Sequence, residues 1–506
     1  MKNCFLVAVL AFLQLPWRSL SQPLPTVRVT NHDNLTFTAK FRIGSVNQLA
    51  PFRMREAELL LDTGSSIFWV TGVNAQCQNL NQGPTAQFEK CEKPEYQEIS
   101  KKDQILSANY GAGWAYGYVG ETQLRFADEE LESIFVSMNA GFAEVISQPA
   151  AFFKTPEAGY LGLGLPYNIW TCPLTVCGTI QSALSNACQL CGNFTMDGGP
   201  RPLGNGGLQA QENINFVYNM VKRFGRLQMN FYLPMAAENE ITFNAPDTSR
   251  YHEGTLVYSK VEWPPTVDYP AGMPGYWQIR TDARGDFSNS LVALDSGASA
   301  ILFSASLWDS GVQPRLNTVP GYNEISIPGF PMLYSVPKSS IPLLPSFDFY
   351  VQGQKFTMEG YMYAIFERPN IAAIFYPNNV TIPGDHIILR IAHFDTSALG
   401  IDILLGSPFM QWHYTSFVAE NASVAGAQVG IARAKVPWNN ASVFPPAPTN
   451  VPTATPTAMP TNDESQKRTV GLGLGLGAGL GTLLIFLLAI SFISSSHQHH
   501  RPSSKV

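Results

Sequence analysis

Two short runs with the same pattern constrain this chain more than any other feature: residues 61–66 read Leu-Asp-Thr-Gly-Ser-Ser and residues 294–299 read Leu-Asp-Ser-Gly-Ala-Ser. In each, an apolar segment of strand type precedes an Asp, and a hydroxyl residue and a Gly follow it. A single Asp-Thr-Gly carries little information, because Asp and Gly are ordinary turn residues. Two copies in the two halves of one chain predict a duplicated lobe that delivers two carboxylates to one site.

Two carboxylates at one site are suited to acid–base chemistry. When they lie a few ångströms apart, both cannot ionise at low cost, so one of them holds a proton. The ionised member can take a proton from a water that attacks a carbonyl, and the protonated member can hydrogen-bond the developing oxyanion. We therefore expect Asp62 and Asp295 to titrate as one unit. This chemistry needs no metal, no cofactor and no covalent intermediate.

Several further segments occur in the order found in one known family. A glycine-rich segment that begins at Tyr110 resembles a flap hairpin, hydrophobic-Gly segments occupy 158–164 and 403–409, and 276–279 precede the second Asp. With the two Asp runs, they make the chain resemble the pepsin-like aspartic proteases from about residue 37 to residue 432. The resemblance implies a mainly β, bilobal fold with the active site in the cleft between two β-rich lobes.

The resemblance also implies roles for individual residues. Asp62 and Asp295 would activate the water of an aspartic endopeptidase that cleaves within extended peptides. The hydroxyls of Thr63 and Ser296 would cross to the backbone of the other lobe, and Ser65 would donate to the first Asp. Tyr110 would be the flap tyrosine, and the indole of Trp69 would hydrogen-bond it. The remaining supporting positions are the two turn glycines, Gly64 and Gly297.

Three features depart from the family pattern. Ala298 replaces the hydroxyl residue that usually donates to the second Asp, which raises the pKa of that carboxylate. Ser407 stands where many members carry another Asp, and this loss of negative charge acts in the opposite direction. We give the lost donor more weight because it is in direct contact, and we expect activity in a weakly acidic compartment. Only 40 residues, 22–61, separate the predicted signal-peptide cut from Asp62, and the first lobe needs most of them, so we expect no long inhibitory prosegment.

A second class of function is a pepsin-fold binding protein that has lost catalysis. The usual signs of that loss are a replaced catalytic Asp or a blocked glycine in the Asp loop. Both Asp residues and both glycines are present in this chain, so the enzyme is favoured. The formal net charge of −6 and the absence of a basic block argue against a nucleic-acid partner, and leave peptides or proteins as substrates.

The composition along the chain predicts six regions. The first is a signal peptide with an apolar run behind Lys2, and an uncharged Pro/Thr-rich stretch after the lobes indicates an extended stalk. The predicted regions are a signal peptide (1–21), an N-terminal lobe (22–225), a C-terminal lobe (226–436), a stalk (437–468), a transmembrane helix (469–493) and a cytoplasmic tail (494–506).

The predicted membrane helix carries no charge over 25 residues, which is long enough to span a bilayer. With the signal peptide it predicts a single-pass type I protein whose lobes face the lumen or the cell exterior. A GPI anchor is the alternative, although such signals normally end hydrophobic and this chain continues into a polar tail. Glycines repeat every four residues within the segment, so self-association through this helix is also open.

Cysteine and Asn-x-Ser/Thr patterns fit a secreted glycoprotein. Six cysteines remain after removal of the signal peptide, and an even number in an oxidising compartment predicts three disulfides. Cys77 and Cys91 are expected to close the loop after the first Asp strand. The other four leave three connectivities open, and a zinc site is the less favoured alternative. These four are Cys172, Cys177, Cys188 and Cys191. The predicted glycosylation acceptors are Asn34, Asn193, Asn379, Asn421 and Asn440.

Overall fold

A computed structural model describes most of the two predicted lobes. The predicted signal peptide, stalk, transmembrane segment and tail lie outside the described residues. Within the described part of the chain, no helix is both long and apolar enough to cross a membrane. The described residues are 24–32, 36–45, 54–79, 87–110, 113–127, 135–148, 157–165, 170–173, 209–210, 214–235, 237–243, 245–262, 276–325, 332–364, 384–393, 400–420 and 426–435.

Strands dominate these residues, so the predicted mainly β class is confirmed. The strands are β1 (Leu24–His32), β2 (Thr36–Gly44), β3 (Arg55–Asp62), β4 (Phe68–Asn79), β5 (Phe88–Lys90), β6 (Ser100–Tyr110), β7 (Gly113–Phe126), β8 (Phe135–Gln148), β9 (Glu157–Gly162), β10 (Trp170–Pro173), β11 (Gln209–Ala210), β12 (Arg226–Tyr232), β13 (Asn239–Phe243), β14 (Val257–Lys260), β15 (Gln278–Arg280), β16 (Leu291–Leu294), β17 (Ile301–Phe303), β18 (Asn323–Ile325), β19 (Leu333–Pro337), β20 (Phe347–Val351), β21 (Gln354–Met358), β22 (His386–Ile388), β23 (Ile391–His393), β24 (Ile403–Leu405), β25 (His413–Glu420) and β26 (Gln428–Arg433).

The described helices are short. They are α1 (Phe216–Phe224), α2 (Ala305–Leu307), α3 (Gln313–Leu316) and α4 (Ser407–Met410), with a π-helical turn at Trp308–Val312 and 3₁₀ turns at Lys338–Leu343 and Gly360–Tyr363. Helix α1 follows the sequence rules for helix ends. Asn215 caps its first turn by accepting from Tyr218 N–H, and Gly225 ends it in the left-handed region at φ 78°. Its buried side chains pack the helix against β12.

One large sheet runs through both halves of the chain. Strand β1 makes the connection, because its first part pairs with β13 and its last three residues pair with β2. Beyond β13 the sheet continues through β12, β25, β26 and β14. A continuous apolar core accompanies it and contains side chains from both halves, among them Phe68, Phe231 and Phe303. The two halves are therefore joined by backbone pairing as well as by apolar packing.

The two Asp runs lie in the same local arrangement of three strands. In the first half, β9 lies between β3 and β4, parallel to β3 and antiparallel to β4. In the second half, β24 lies between β16 and β17 with the same directions. The central strand of each trio belongs to one of the hydrophobic-Gly segments that the sequence singles out. The duplication inferred from two hexapeptides therefore extends to the surrounding strands.

Candidate active site

The two Asp loops are tied together by reciprocal hydrogen bonds between Thr63 and Ser296, both fully buried. Thr63 N–H donates to Ser296 Oγ at 3.0 Å, and Ser296 N–H donates to Thr63 Oγ1 at 2.8 Å. Each hydroxyl then donates to a carbonyl of the opposite strand: Thr63 to Leu294 O at 3.1 Å, and Ser296 to Leu61 O at 2.8 Å. Four buried bonds therefore fix the relative position of the residues that precede and follow each Asp.

This interlock places the carboxyl groups of Asp62 and Asp295 against each other. Asp62 ends β3 and Asp295 directly follows β16, and their exposed fractions are 5% and 6%. Gly64 N–H donates to Asp62 Oδ1 at 2.9 Å, and Gly297 N–H donates to Asp295 Oδ1 at 2.8 Å. The backbone of each loop therefore orients its own carboxylate.

The glycines of the two loops are needed for this close approach. A Cβ built on Gly64 would overlap the carboxyl group of Asp295. A Cβ on Gly297 would come within 2.5 Å of Asp62 Oδ1. Each carboxyl group thus occupies the space that a side chain on the other loop would fill. Because the contacts are reciprocal, both glycines are part of the site's geometry and not only turn residues.

Burial raises the pKa values of both carboxyl groups. For Asp295 the pKa lies well above its usual range, first because of burial and second because of the negative charge of Asp62. Burial also raises the pKa of Asp62, but hydrogen bonds to its carboxylate oppose that rise. The two environments therefore differ, and they favour a state in which the pair shares one proton.

Ser65 and Ala298 occupy matching positions, three residues after each Asp, and explain part of this difference. The Ser65 hydroxyl is close enough to the Asp62 carboxylate to lower its pKa, although it has no partner of normal hydrogen-bond geometry among the described residues. Ala298 offers only its backbone N–H, which donates to Asp295 Oδ1 at 3.2 Å. Its side chain is a methyl group that is fully buried. The first loop therefore holds a hydroxyl where the second has none.

Trp69 is placed beside this pair through an aromatic contact that the sequence did not indicate. Its side chain is 2% exposed and stacks on Tyr160, with ring centroids 5.0 Å apart. Tyr160 lies on β9, where burial and the charges of Glu157 and Asp62 raise its pKa. In the sequence Tyr160 was visible only as an apolar member of a hydrophobic-Gly segment. Its position becomes apparent only when β9 is paired between β3 and β4.

The predicted flap residue Tyr110 is described only through its backbone. It pairs with Gly113 at the end of the antiparallel ladder between β6 and β7. Its side chain lies outside the described residues, so its predicted hydrogen bond to the Trp69 indole stays a prediction.

Two buried side chains that sequence reasoning missed support the Asp62 loop. Asn215 Nδ2 donates to Ser66 O at 2.9 Å and to Gly164 O at 3.0 Å. Trp277 Nε1, from the second half of the chain, donates to Leu163 O at 2.8 Å. Asn215 could have been identified from sequence as a helix cap, but nothing local indicated its second role.

A disulfide joins Cys77 on β4 to Cys91, which follows β5. Only the backbone of Cys172 is described, on β10. The three other predicted disulfide cysteines and the five predicted glycosylation acceptors lie outside the described residues: Cys177, Cys188, Cys191, Asn34, Asn193, Asn379, Asn421 and Asn440.

Comparisons with known proteins agree with this geometry. Residues 39–177 match the family model of the eukaryotic aspartyl proteases. The chain is 22% identical to cathepsin D of Chionodraco hamatus over 396 residues, covering 74% of this chain and 77% of the relative. It is 29% identical to aspartic protease 1 of Caenorhabditis elegans over 128 residues, or 25% of this chain and 30% of that protein.

The fold has a solved counterpart as well. The crystal structure of the aspartic proteinase from Irpex lacteus superposes with a TM-score of 0.52 at 17% identity, covering 82% of this chain and 98% of the other. The match over residues 39–177, the cathepsin D relative and this solved fold together support the predicted resemblance to the pepsin-like aspartic proteases.

Proposed function

We propose that this protein is an aspartic endopeptidase in which Asp62 and Asp295 activate a water to hydrolyse peptide bonds. The observation that carries the proposal is the reciprocal contact of each carboxyl group with the glycine of the opposite loop. That contact brings two buried carboxyl groups into one site, where the shared proton provides one acid and one base.

The proposed reaction follows from the different environments of the two carboxyl groups. Burial raises the pKa of both carboxyl groups, but only that of Asp295 lies well above its usual range, so Asp62 acts as the base that takes a proton from the attacking water. Asp295 retains its proton to a higher pH and donates a hydrogen bond to the carbonyl oxygen as negative charge develops there. Proton transfer to the leaving amine then breaks the C–N bond, and the pair returns to its singly protonated state.

A peptide in an extended conformation fits this mechanism best. A strand between the two loops can form backbone hydrogen bonds that provide affinity, while pockets for its side chains provide selectivity. Trp69 and Tyr160 flank the Asp62 side of the site, so an aromatic wall lies next to the base.

The alternative is a binding protein that holds peptides without cleaving them. Incubating residues 22–440 with a quenched peptide library at several pH values separates the two proposals. An endopeptidase raises the fluorescence by cleaving the peptides at internal bonds, and the Asp295→Asn variant should give no rise in fluorescence. Tight peptide binding without cleavage in both proteins would establish the alternative.

We further propose that the protease lobes are held at a membrane by residues 469–493. The proposal is supported by the 25 uncharged residues of that segment, flanked by polar sequence. Membranes from cells that express the full chain should retain the protein after extraction with alkaline carbonate. Release by a phosphatidylinositol-specific phospholipase would instead support the GPI alternative.

A further inference from the structure

Arg390 is a buried cation beneath the second Asp loop, between β22 and β23. Its exposed fraction is 6%, and its guanidinium donates to neutral oxygen atoms: Ser299 O at 2.8 Å, Gln411 Oε1 at 3.2 Å, and Ser407 Oγ. Within the described part of the chain, no carboxylate lies within ion-pair distance of it. A buried Arg normally pairs with a carboxylate, because an unpaired charge is costly in the interior.

A short chain of hydrogen bonds connects Arg390 to Asp295. Ser407, which accepts from the guanidinium, donates its N–H to Ala298 O at 2.7 Å. Ala298 in turn donates its N–H to Asp295 Oδ1 at 3.2 Å. Arg390 Nε also holds the carbonyl of Ser299, four residues after Asp295. The guanidinium therefore fixes two consecutive residues of the loop that orients this carboxyl group.

The first half of the chain holds the matching position in a different way. There Asn215 Nδ2 donates to the carbonyl of Ser66, which is four residues after Asp62. The two loops are thus anchored at equivalent carbonyls, by a neutral amide under Asp62 and by a guanidinium under Asp295. One bond beside these anchors is shared by the two halves: Gly164 N–H donates to Ser65 O at 2.7 Å, as Ser407 N–H donates to Ala298 O.

We infer that Arg390 is a positioning residue for Asp295 and that its positive charge stabilises the singly ionised Asp pair. The inference rests on the proposed function and adds a specific residue to it. Burial lowers the pKa of Arg390 to about 9, so the group keeps its charge throughout the acidic range. In a low-dielectric interior a cation without a counter-ion acts over a longer distance than it would in water.

The neighbouring elements also carry tyrosine and histidine side chains. Burial raises the pKa values of Tyr361 and Tyr363, so both are neutral in acid. Burial also lowers the pKa of His413 to about 4. His386 contacts Ser335 Oγ, and His393 on β23 packs near Trp308.

The test compares kcat/KM against pH for wild type, Arg390→Gln and Arg390→Lys on one peptide. Without the cation, both limbs of the profile of the Arg390→Gln variant should move to higher pH by about one unit. Arg390→Lys keeps the positive charge but cannot form the same three hydrogen bonds as the guanidinium. Its pH profile should therefore stay in place while kcat falls about 10-fold. His393→Gln is the control and should change neither quantity.

A purely structural role for Arg390 predicts a different pattern. Both variants would then lose kcat to a similar extent with an unmoved profile, and this result would overturn the inference. If Arg390→Gln does not fold, Ser407→Asp provides the same test, because it gives Arg390 a carboxylate partner and neutralises its charge. An unmoved profile in that variant also contradicts the inference.

A measurement that does not use turnover keeps this inference separate from the proposed function. Urea unfolding at neutral pH is compared for Arg390→Gln in the wild-type background and in the Asp62→Asn/Asp295→Asn double variant. We expect the loss of stability to be smaller when neither member of the pair can ionise, because the interaction between Arg390 and the negative charge of the pair is then absent. Equal losses in both backgrounds would refute the coupling, whereas coupling without any peptide cleavage would refute only the proposed function.

Discussion

At the scale of single residues, the site depends on the absence of side chains as much as on their presence. Gly64→Ala should lower kcat/KM by at least about 100-fold, because the added methyl group displaces the Asp295 carboxyl group from its orientation. The melting temperature should fall as well, because overpacking a buried site costs about 1–3 kcal/mol, so activity is compared at a temperature at which both proteins are folded. Gly311→Ala is the matched control, since a Cβ there meets no atom within 4 Å. Retained activity in the Gly64→Ala variant would show that the two carboxyl groups do not need this approach.

The missing hydroxyl at Ala298 leads to a prediction about pH. Ala298→Ser restores a donor beside Asp295 and should lower the pKa of that carboxyl group. Since turnover needs one protonated member, the alkaline limb of kcat/KM against pH should move toward acid. Ser is chosen over Thr because the position is fully buried and a smaller side chain disturbs the packing less. A limb that stays in place or moves toward alkali would contradict this explanation.

At the scale of elements, the disulfide between Cys77 and Cys91 stabilises the pairing of β4 with β5. The two residues are 14 positions apart, and closing a loop of this size is worth about 3 kcal/mol in the free energy of unfolding. Replacing both by Ala should lower the stability by about that amount in urea denaturation. Alanine keeps the buried positions apolar, so the difference reports mainly on the crosslink. A loss below about 1 kcal/mol would mean that the unfolded chain is already constrained there.

Two buried ionisable residues, Lys93 and Glu157, lie together at the start of β9. Lys93 Nζ donates to Glu157 O at 2.9 Å, and the side-chain oxygens of Glu157 have no hydrogen-bond partner among the described residues. Burial lowers the pKa of Lys93 to about 8, and the charge of Glu157 partly opposes this. Burial of Lys93 and Glu157 is therefore expected to lower the free energy of unfolding and not to raise it as a stabilising ion pair would.

The lowered pKa of Lys93 makes stability depend on pH. Between about pH 8 and pH 10 the unfolded chain binds more protons than the folded one at this residue, so its contribution to stability rises with pH. Lys93→Met should remove that rise in urea unfolding measured from pH 7 to pH 10. Lys90→Met is the control, because Lys90 is exposed and pairs with Glu95. Parallel curves for wild type and Lys93→Met would be inconsistent with a buried lysine.

At the scale of the whole molecule, the sequence predicted those features that are encoded locally. Each Asp run contains its own strand, turn glycine and hydroxyl residue, so a mainly β, duplicated architecture followed from short segments. The roles of Asn215, Trp277 and Arg390 did not, because each acts on a loop far away in the sequence: Asn215 is 149 residues from Ser66 and Arg390 is 91 residues from Ser299. Contacts of this kind depend on the pairing of strands, which residue periodicity alone does not determine.

The same reasoning explains why the sequence did not indicate a role for Tyr160. Its neighbours on β9 are small or aliphatic, so the segment indicates a buried strand without indicating which face adjoins the site. The parallel pairing of β9 with β3 places Tyr160 next to Leu60 and two residues short of the glycine paired with Asp62.

The central claim is that one carboxyl group from each half of the chain acts in a single proton-sharing pair. A double-mutant cycle on kcat/KM tests it most directly, using Asp62→Asn, Asp295→Asn and the two changes combined. If the pair acts as a unit, each single change should lower kcat/KM by about 10⁴-fold and the combined variant should be no slower than either one. Near-wild-type turnover in either single variant, or losses that multiply in the combined variant, would contradict the claim.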